Sequence, residues 1–221
     1  MVVAIDGPAG AGKSTVAGSI ARRTHFLYIN SGNFYRAITL AALHEGADPA
    51  DQAAVLGVAR RTSVEIVDGR IHLNGKDVEK DLHTDRVDRW VAEHSAIPEV
   101  RAIVNSRLRE AVRELDVIVE GRDIGTAVFP DAAVKVYLDA SIRMRANRRF
   151  GQGTSTLSLA EIEENIRKRD EIDKNKPIGS LKIADDALYI DSSDLTIDEV
   201  CERVIRKIRT LRSLSSRSRF T

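Results

Sequence analysis

The sequence is poor in the features that mark secreted, zinc-binding and membrane proteins. Cys201 is the single cysteine among 221 residues, which excludes an internal disulfide and a four-cysteine zinc site. No apolar run approaches the ~20 residues that a membrane span needs, and the first residues lack the basic stretch of a signal peptide. A net charge of +1 is too small for a broad nucleic-acid or anionic membrane surface. We therefore expect a cytoplasmic protein with no nucleic-acid or membrane partner.

The basic residues are unusual in kind rather than in number. Of the 34 basic residues, 25 are arginine, whose planar guanidinium matches the oxygens of a phosphate group. The remaining composition, 43% hydrophobic and 30% charged, is that of an ordinary globular protein. The positions of the arginines are therefore the informative feature.

Short apolar segments alternate with helical patterns along the chain. Five of these segments are typical of buried strands, and they lie at residues 2–5, 26–29, 117–119, 134–138 and 188–190. This alternation predicts an α/β fold with a five-stranded parallel sheet that helices cover on both faces. Residues 64–79 differ, because Asp68-Gly69 and Asn74-Gly75 separate three short segments and predict a small β meander.

The domain organisation predicted from the sequence is simple. No linker is long enough to divide the chain, so we expect one domain over residues 1–212 that acts as a monomer. Residues 213–221 are rich in serine and arginine and are predicted to form a frayed tail. Glycine, serine and threonine dominate residues 150–158, a composition that predicts a short mobile lid.

A glycine-rich segment follows the first predicted strand and precedes a helix. It matches the pattern G-x-x-x-x-G-K-[ST], and it reads Gly7, Pro8, Ala9, Gly10, Ala11, Gly12, Lys13, Ser14, Thr15. In such a loop the backbone N–H groups and the helix N-terminus surround a phosphate. We expect Lys13 to reach the β- and γ-phosphates and the Ser14 hydroxyl to bind Mg²⁺. All nine residues are therefore predicted to bind a nucleoside triphosphate.

The phosphate loop alone leaves two classes of function open. One is a kinase, and the other is a nucleotide-driven switch or motor that transfers the phosphoryl group to water. The Asn-Lys-x-Asp segment expected of a GTPase is missing. A kinase needs a second anion site, and Arg36 and Gly121-Arg122-Asp123 follow strands two and three, where parallel sheets place ligands.

Several further motifs resemble those of the bacterial-type cytidylate kinases, a family of P-loop nucleoside monophosphate kinases. They keep that family's order and spacing from residue 2 to about 208, and they include Ser31-Gly32, Tyr35-Arg36, Ile97–Arg101, Gly121–Thr126, Arg145–Arg149, Arg169-Asp170 and Asp173. The resemblance implies a P-loop NTPase fold in which residues 31–95, including the meander, bind the monophosphate. It also implies transfer of the ATP γ-phosphoryl group to CMP, and to dCMP, in pyrimidine nucleotide metabolism.

Eight residues match positions that contact the acceptor in that family. They are Ser31, Arg101 and Asp123 for the cytosine ring, Arg36 and Arg122 for the monophosphate, and Arg169 and Asp173 for the ribose hydroxyls, with Lys176 on the same helical face. Two positions depart from the family pattern. Ala92 stands where serine is usual, and Lys176 keeps the charge of the usual arginine without its bidentate fork.

The chemistry implied by this resemblance is charge neutralisation. A phosphate acceptor has a second pKa of about 6, so it is mostly a dianion at neutral pH and needs no general base. The obstacle is the repulsion between two anions. We expect Lys13, Arg122, Arg145 and Arg149 to offset it, with Arg148 contacting ATP and the lid excluding water.

Overall fold

The computed structural model describes residues 1–151, 153 and 157–217. The strands are β1 (Val2–Asp6), β2 (Leu27–Asn30), β3 (Val64–Val67), β4 (Arg70–Leu73), β5 (Lys76–Asp77), β6 (Val117–Glu120), β7 (Val134–Asp139) and β8 (Leu188–Asp191). The helices are α1 (Lys13–Thr24), α2 (Ser31–His44), α3 (Gln52–Arg61), α4 (Asp85–His94), α5 (Pro98–Ala111), α6 (Ile142–Gly151), α7 (Leu159–Asn175) and α8 (Ile197–Arg217). A single π-helical turn, Ile124–Val128, follows β6.

Five strands form one parallel sheet in the order β2-β6-β1-β7-β8. In its centre Val3 of β1 pairs with Ile118 of β6 on one side and with Val134 of β7 on the other. Helices α1 and α8 pack on this sheet through buried apolar residues such as Val16 and Val204. The predicted α/β fold with a five-stranded parallel sheet flanked by helices is therefore confirmed.

The chain divides into two compact units. Unit 1 comprises Met1–Tyr28 and Leu115–Thr221, and it holds the phosphate loop and most of the sheet. Unit 2 comprises Ile29–Glu114 and holds α2 to α5. The sequence suggests no such division, because the first boundary falls inside a strand rather than in a linker. The region predicted to bind the monophosphate, residues 31–95, lies within unit 2.

The predicted meander is present in unit 2 as an antiparallel sheet of β3, β4 and β5. Its two turns have positive φ at both central positions, with values of 52° and 75° at Asp68 and Gly69 and of 49° and 78° at Asn74 and Gly75. Aspartate, asparagine and glycine tolerate this conformation better than other residues. The turn chemistry thus explains why these dipeptides identified the hairpins.

Three features differ from the sequence predictions or lie beyond them. Helix α4 and the π-helical turn were not predicted, and α8 continues to Arg217, past the predicted domain end at residue 212. Within the predicted lid and tail, residues 152, 154–156 and 218–221 lie outside the described residues. Across the ranges that the structure describes, none of the helices has the length and apolarity to cross a bilayer.

Candidate active site

The glycine-rich loop connects the end of β1 to the start of α1. Gly7 has a φ of 150°, and a Cβ atom there would lie 2.0 Å from the carbonyl oxygen of Leu138, so only glycine fits. Gly12, with a φ of 94°, is the residue before the first turn of α1. The first N–H groups of a helix have no partners inside the helix, so this end of α1 is suited to bind an anion.

Lys13 crosses the loop rather than extending into solvent. Its side chain is buried, and Nζ donates a hydrogen bond to the carbonyl oxygen of Pro8 at 2.8 Å. Burial holds the pKa of Lys13 well below its usual value, and the charge of Arg122 acts in the same direction. Ser14 and Thr15 are exposed in the first turn of α1.

Arg145 of α6 is buried and contacts the loop directly. Its Nη1 donates to the carbonyl oxygen of Ala9 at 3.2 Å, and its Nε donates to that of Ala140 at 2.8 Å. The guanidinium also forms two hydrogen bonds with the carboxylate of Asp170. The residue predicted to neutralise charge during transfer therefore holds the loop in place in this structure.

Arg148 and Arg149 follow on the same helix and differ in their surroundings. Arg148 donates through Nη1 to the carbonyl oxygen of Ala11 at 3.2 Å and through Nη2 to that of Ser192 at 2.6 Å. The Ser192 hydroxyl donates in turn to the carbonyl oxygen of Asp139 at 2.9 Å. Arg149 is exposed. Of the two, only Arg148 is thus built into the wall of the phosphate loop.

Arg122, Asp173 and Lys176, three of the residues predicted to contact the acceptor, form a cluster. Arg122 Nε donates to Asp173 Oδ2 at 3.0 Å, and Lys176 Nζ lies 2.9 Å from Asp173 Oδ1. Burial acts to raise the pKa of Asp173, but the two cations outweigh it and hold that pKa below its usual value. Arg169 is exposed one turn earlier on α7, and its charge contributes to the lowered pKa of Lys13.

Asp123 is buried next to Arg122, and the segment that follows it is tied to β1. The backbone N–H groups of Ile124 and Gly125 donate to Asp6 Oδ1 and Oδ2 at 2.8 and 2.7 Å. Burial raises the pKa of Asp6 to about 6, against the lowering effect of these two hydrogen bonds. Sequence reasoning missed Asp6, for which the signal was an acidic residue between a buried strand and the first glycine of the loop.

Unit 2 contains the remaining predicted acceptor residues. Arg36 of α2 donates through Nη1 to the carbonyl oxygen of Leu82 at 3.0 Å and forms an ion pair with Asp88 of α4. Ala92, the departure from the family pattern, is exposed on α4. Arg36 therefore has a defined orientation, set by the helix that the sequence did not predict.

Arg101 and Ser31 are both buried within unit 2. Arg101 of α5 donates to the carbonyl oxygen of Ser95 at 3.2 Å, and its guanidinium carbon lies 5.5 Å from the centre of the Tyr35 ring. Ser31 is the first residue of α2, whose N-cap is Asn30. A buried arginine and a buried hydroxyl are thus held by α5 and α2 of one unit.

The fold and the loop define the class of protein. A parallel sheet whose first strand leads through a glycine-rich loop and a lysine into a helix is typical of the P-loop phosphotransferases. The structure superposes on a shikimate kinase from Bacteroides thetaiotaomicron with a TM-score of 0.52 and 12% identity, covering 95% of this chain and 98% of that one. This similarity shows the P-loop kinase fold.

The family is shown by sequence. The model of the cytidylate kinase family matches residues 3–210, and the chain belongs to this family. A cytidylate kinase from Borrelia hermsii is 42% identical over 212 residues, which cover 93% of this chain and 97% of the relative. One from Caldanaerobacter subterraneus is 42% identical over 211 residues, covering 94% of each chain. The resemblance seen in the motifs is therefore confirmed.

Proposed function

We propose that the protein transfers the γ-phosphoryl group of ATP to CMP, and to dCMP, giving the corresponding diphosphates. The observation that carries this proposal is a complete phosphate loop, with Lys13 held across it, in a chain that matches the cytidylate kinase family over residues 3–210. We also propose that it acts in the cytoplasm as a monomer, for which light scattering should give a mass near 24.4 kDa.

The acceptor residues that we propose fall into three groups. They are Ser31, Arg101 and Asp123 for the base, Arg36 and Arg122 for the phosphate, and Arg169 and Asp173 for the ribose, with Lys176 on the same face of α7. The first group is supported by burial, because a polar group shielded from water discriminates strongly between partners that do and do not hydrogen-bond to it. The second is supported by the hydrogen bonds of Arg36 to Leu82 and of Arg122 to Asp173, which orient each guanidinium before any ligand arrives.

The chemistry proposed is neutralisation of charge on two phosphates. An anionic triphosphate beside Lys13 would favour the charged form of this lysine, which burial now disfavours. Arg122 and Arg149 would offset the negative charge as it spreads during transfer. Arg145 and Arg148 would act through the loop, since each donates to one of its carbonyl oxygens. The acceptor phosphate supplies its own nucleophilic oxygen, so no residue is assigned as a base.

The residues of the loop fit a magnesium ion that arrives with the nucleotide. Ser14 offers a hydroxyl oxygen, a hard ligand that suits Mg²⁺, and it is exposed at the N-terminus of α1. In the described part of the chain, no three His, Cys, Asp or Glu side chains are placed to hold a metal. Ser14 would therefore hold the ion together with the triphosphate. The chemistry that Mg²⁺ supplies there is neutralisation of phosphate charge.

A coupled assay of ADP release with a panel of nucleoside monophosphates tests this function. CMP should stimulate ADP release far above the rate without acceptor, with dCMP next. The proposal fails if UMP, dTMP or AMP is used better than CMP, or if ADP release is independent of any acceptor. Asp123→Ala should raise the KM for CMP and leave ATP binding unchanged. Asp198→Ala, which removes a carboxylate with 90% side-chain exposure, is its control.

A further inference from the structure

Asp6 occupies the junction between β1 and the phosphate loop. It is the last residue of the strand, it directly precedes Gly7, and its relative exposure is 5%. Both oxygens of its carboxylate accept backbone hydrogen bonds from the segment after β6, at 2.8 Å from Ile124 and 2.7 Å from Gly125. One side chain therefore joins the strand that leads into the phosphate loop to a segment 118 residues further along the chain.

The segment that Asp6 holds is the one that carries Arg122 and Asp123. On one side of this pair the Gly121 N–H donates to the carbonyl oxygen of Ile5 at 3.0 Å. On the other side the π-helical turn begins, and its N-cap residue, Asp123, makes no side-chain capping bond. Asp6 supplies the acceptors that this turn lacks. The last two residues of β1 thus anchor the segment on both sides of Arg122 and Asp123.

Gly125 lies close to the carboxylate of Asp6. A Cβ atom at position 125 would lie 3.3 Å from Asp6 Oδ2 and 3.3 Å from the side chain of Lys135. At these distances the neighbouring atoms would have to move by a few tenths of an ångström to accommodate a side chain. The absence of a side chain at Gly125 therefore permits the approach of the carboxylate to the backbone.

The charged and titratable groups around Asp6 do not account for its burial by ion pairing. Among the described residues it forms no ion pair within 4.0 Å. The charge of Lys13 in α1 lowers the pKa of Asp6, and the charge of Asp123 raises it. Tyr137 of β7 also interacts with the Asp6 carboxylate. Burying an unpaired carboxylate opposes folding. The two backbone hydrogen bonds to the segment after β6 are therefore the contacts that hold this carboxylate in place.

We propose that Asp6 is a positioning residue that holds Arg122 and Asp123 in register with the phosphate loop. This inference rests on the proposed function, because it takes Arg122 and Asp123 as residues that bind the acceptor. The acceptor phosphate must lie in line with the transferred phosphoryl group, and small displacements of the groups that hold it reduce the rate strongly. Asp6 directly precedes the phosphate loop, and its carboxylate holds the segment that carries Arg122 and Asp123 through two hydrogen bonds.

The substitution Asp6→Asn tests the proposal. Asparagine has the same shape, but its NH₂ group would face one of the two N–H donors, so one hydrogen bond is lost. We expect kcat/KM for CMP to fall about 10- to 100-fold, with a higher KM for CMP. The Kd for ATP, measured by equilibrium binding, should stay within about twofold. An unchanged kcat/KM for CMP, or an equal loss of ATP binding, would overturn the proposal.

Two further variants separate this role from a general effect on folding. Gly125→Ala disturbs the same contact from the opposite side, so its effect and that of Asp6→Asn should be far from additive in the double variant. If Asp6→Asn does not fold, Gly125→Ala carries the test alone. Asp51→Asn is the matched control, since Asp51 also accepts two backbone N–H bonds, from Ala53 and Ala54. Failure of the wild type to use CMP would instead refute the proposed function.

The pH dependence of activity with CMP distinguishes a positioning role of Asp6 from a purely structural one. As the pH falls through about 6, Asp6 takes up a proton and loses one of its two acceptor sites. The acceptor phosphate titrates in the same range, but equally with both enzymes. The ratio of wild-type to Asp6→Asn activity should therefore fall towards 1 between pH 8 and pH 5. A constant ratio would contradict the role of the ionised carboxylate.

Discussion

Arg145 and Asp170 form a buried ion pair with two parallel hydrogen bonds, from Nη1 to Oδ1 at 2.9 Å and from Nη2 to Oδ2 at 2.6 Å. Their side chains have relative exposures of 4% and 11%. The same guanidinium donates to the carbonyl oxygen of Ala9, so the pair connects the phosphate loop to α7. That helix also carries Arg169 and Asp173. The loop and the proposed ribose-binding helix are therefore parts of one hydrogen-bonded network in unit 1.

Loss of Asp170 should destabilise the protein strongly. Asp170→Ala leaves Arg145 buried without its partner, which costs about 3–5 kcal/mol. Urea unfolding measures this loss. The double variant Arg145→Met, Asp170→Leu should recover much of the stability, because apolar side chains replace both charges. This double variant should nevertheless bind ATP more weakly than the wild type, since the hydrogen bond from Arg145 to Ala9 is lost. A loss below about 1 kcal/mol for Asp170→Ala would contradict this account.

The substitution Gly7→Ala should disrupt both ATP binding and stability. The added Cβ would meet the carbonyl oxygen of Leu138 at 2.0 Å, and backbone atoms on both sides must move to relieve the overlap. We expect a loss of about 1–3 kcal/mol in urea unfolding, together with weaker binding of a fluorescent ATP analogue. Gly57→Ala in α3 is the control, and it should be neutral or stabilising. Normal ATP binding by Gly7→Ala would show that the loop tolerates the side chain.

The thiol of Cys201 should report on global unfolding of unit 1. This residue lies on the face of α8 that packs against α1, where it is fully buried, and its Sγ lies 3.8 Å from the carbonyl oxygen of Val16. A thiol reagent should therefore label the native protein only as fast as it unfolds. ATP should slow the labelling, because it binds the folded state. Rapid stoichiometric labelling without denaturant, unaffected by ATP, would contradict the packing of α8.

Stability should depend on pH through Asp6 with a defined sign. Its pKa is raised from 3.8 to about 6, so the folded state holds this proton more tightly than the unfolded state. The contribution of Asp6 to the free energy of unfolding is therefore most favourable below about pH 4. It declines by about 3 kcal/mol as the pH rises through 6. The lowered pKa of Asp173 acts in the opposite direction, with stability lost as the pH falls.

Comparison of two proteins isolates this effect. The difference in free energy of unfolding between wild type and Asp6→Asn should shift in favour of the wild type between pH 7.5 and pH 4.5. Urea titrations at each pH measure it, and the other titrating groups, including Asp173, are common to both proteins. A difference that does not change with pH would show that burial of Asp6 is less complete than the structure has it.

Local sequence patterns were sufficient for most of the elements. The capping box of α7 illustrates this, because Ser158 and Glu161 exchange their hydrogen bonds within one turn. Helix α4 was not predicted, although the sequence carries its signal. Val87, Trp90, Val91 and His94 have the i, i+3, i+4, i+7 spacing of an amphipathic helix. Its stability depends on contacts outside the helix, such as the hydrogen bond of His94 to Thr39 at 2.9 Å.

The sequence by itself determined the strands, the glycine-rich turn and the class of chemistry, since each depends on neighbours within a few residues. The tertiary structure decided which polar groups meet. Asp6 reaches Gly125, and Arg145 reaches Asp170, only because β1 lies beside β6 and α6 packs on α7. Burial then makes these hydrogen bonds strong, because no water competes for the buried groups. No periodicity in the chain records such contacts between residues that are far apart in sequence.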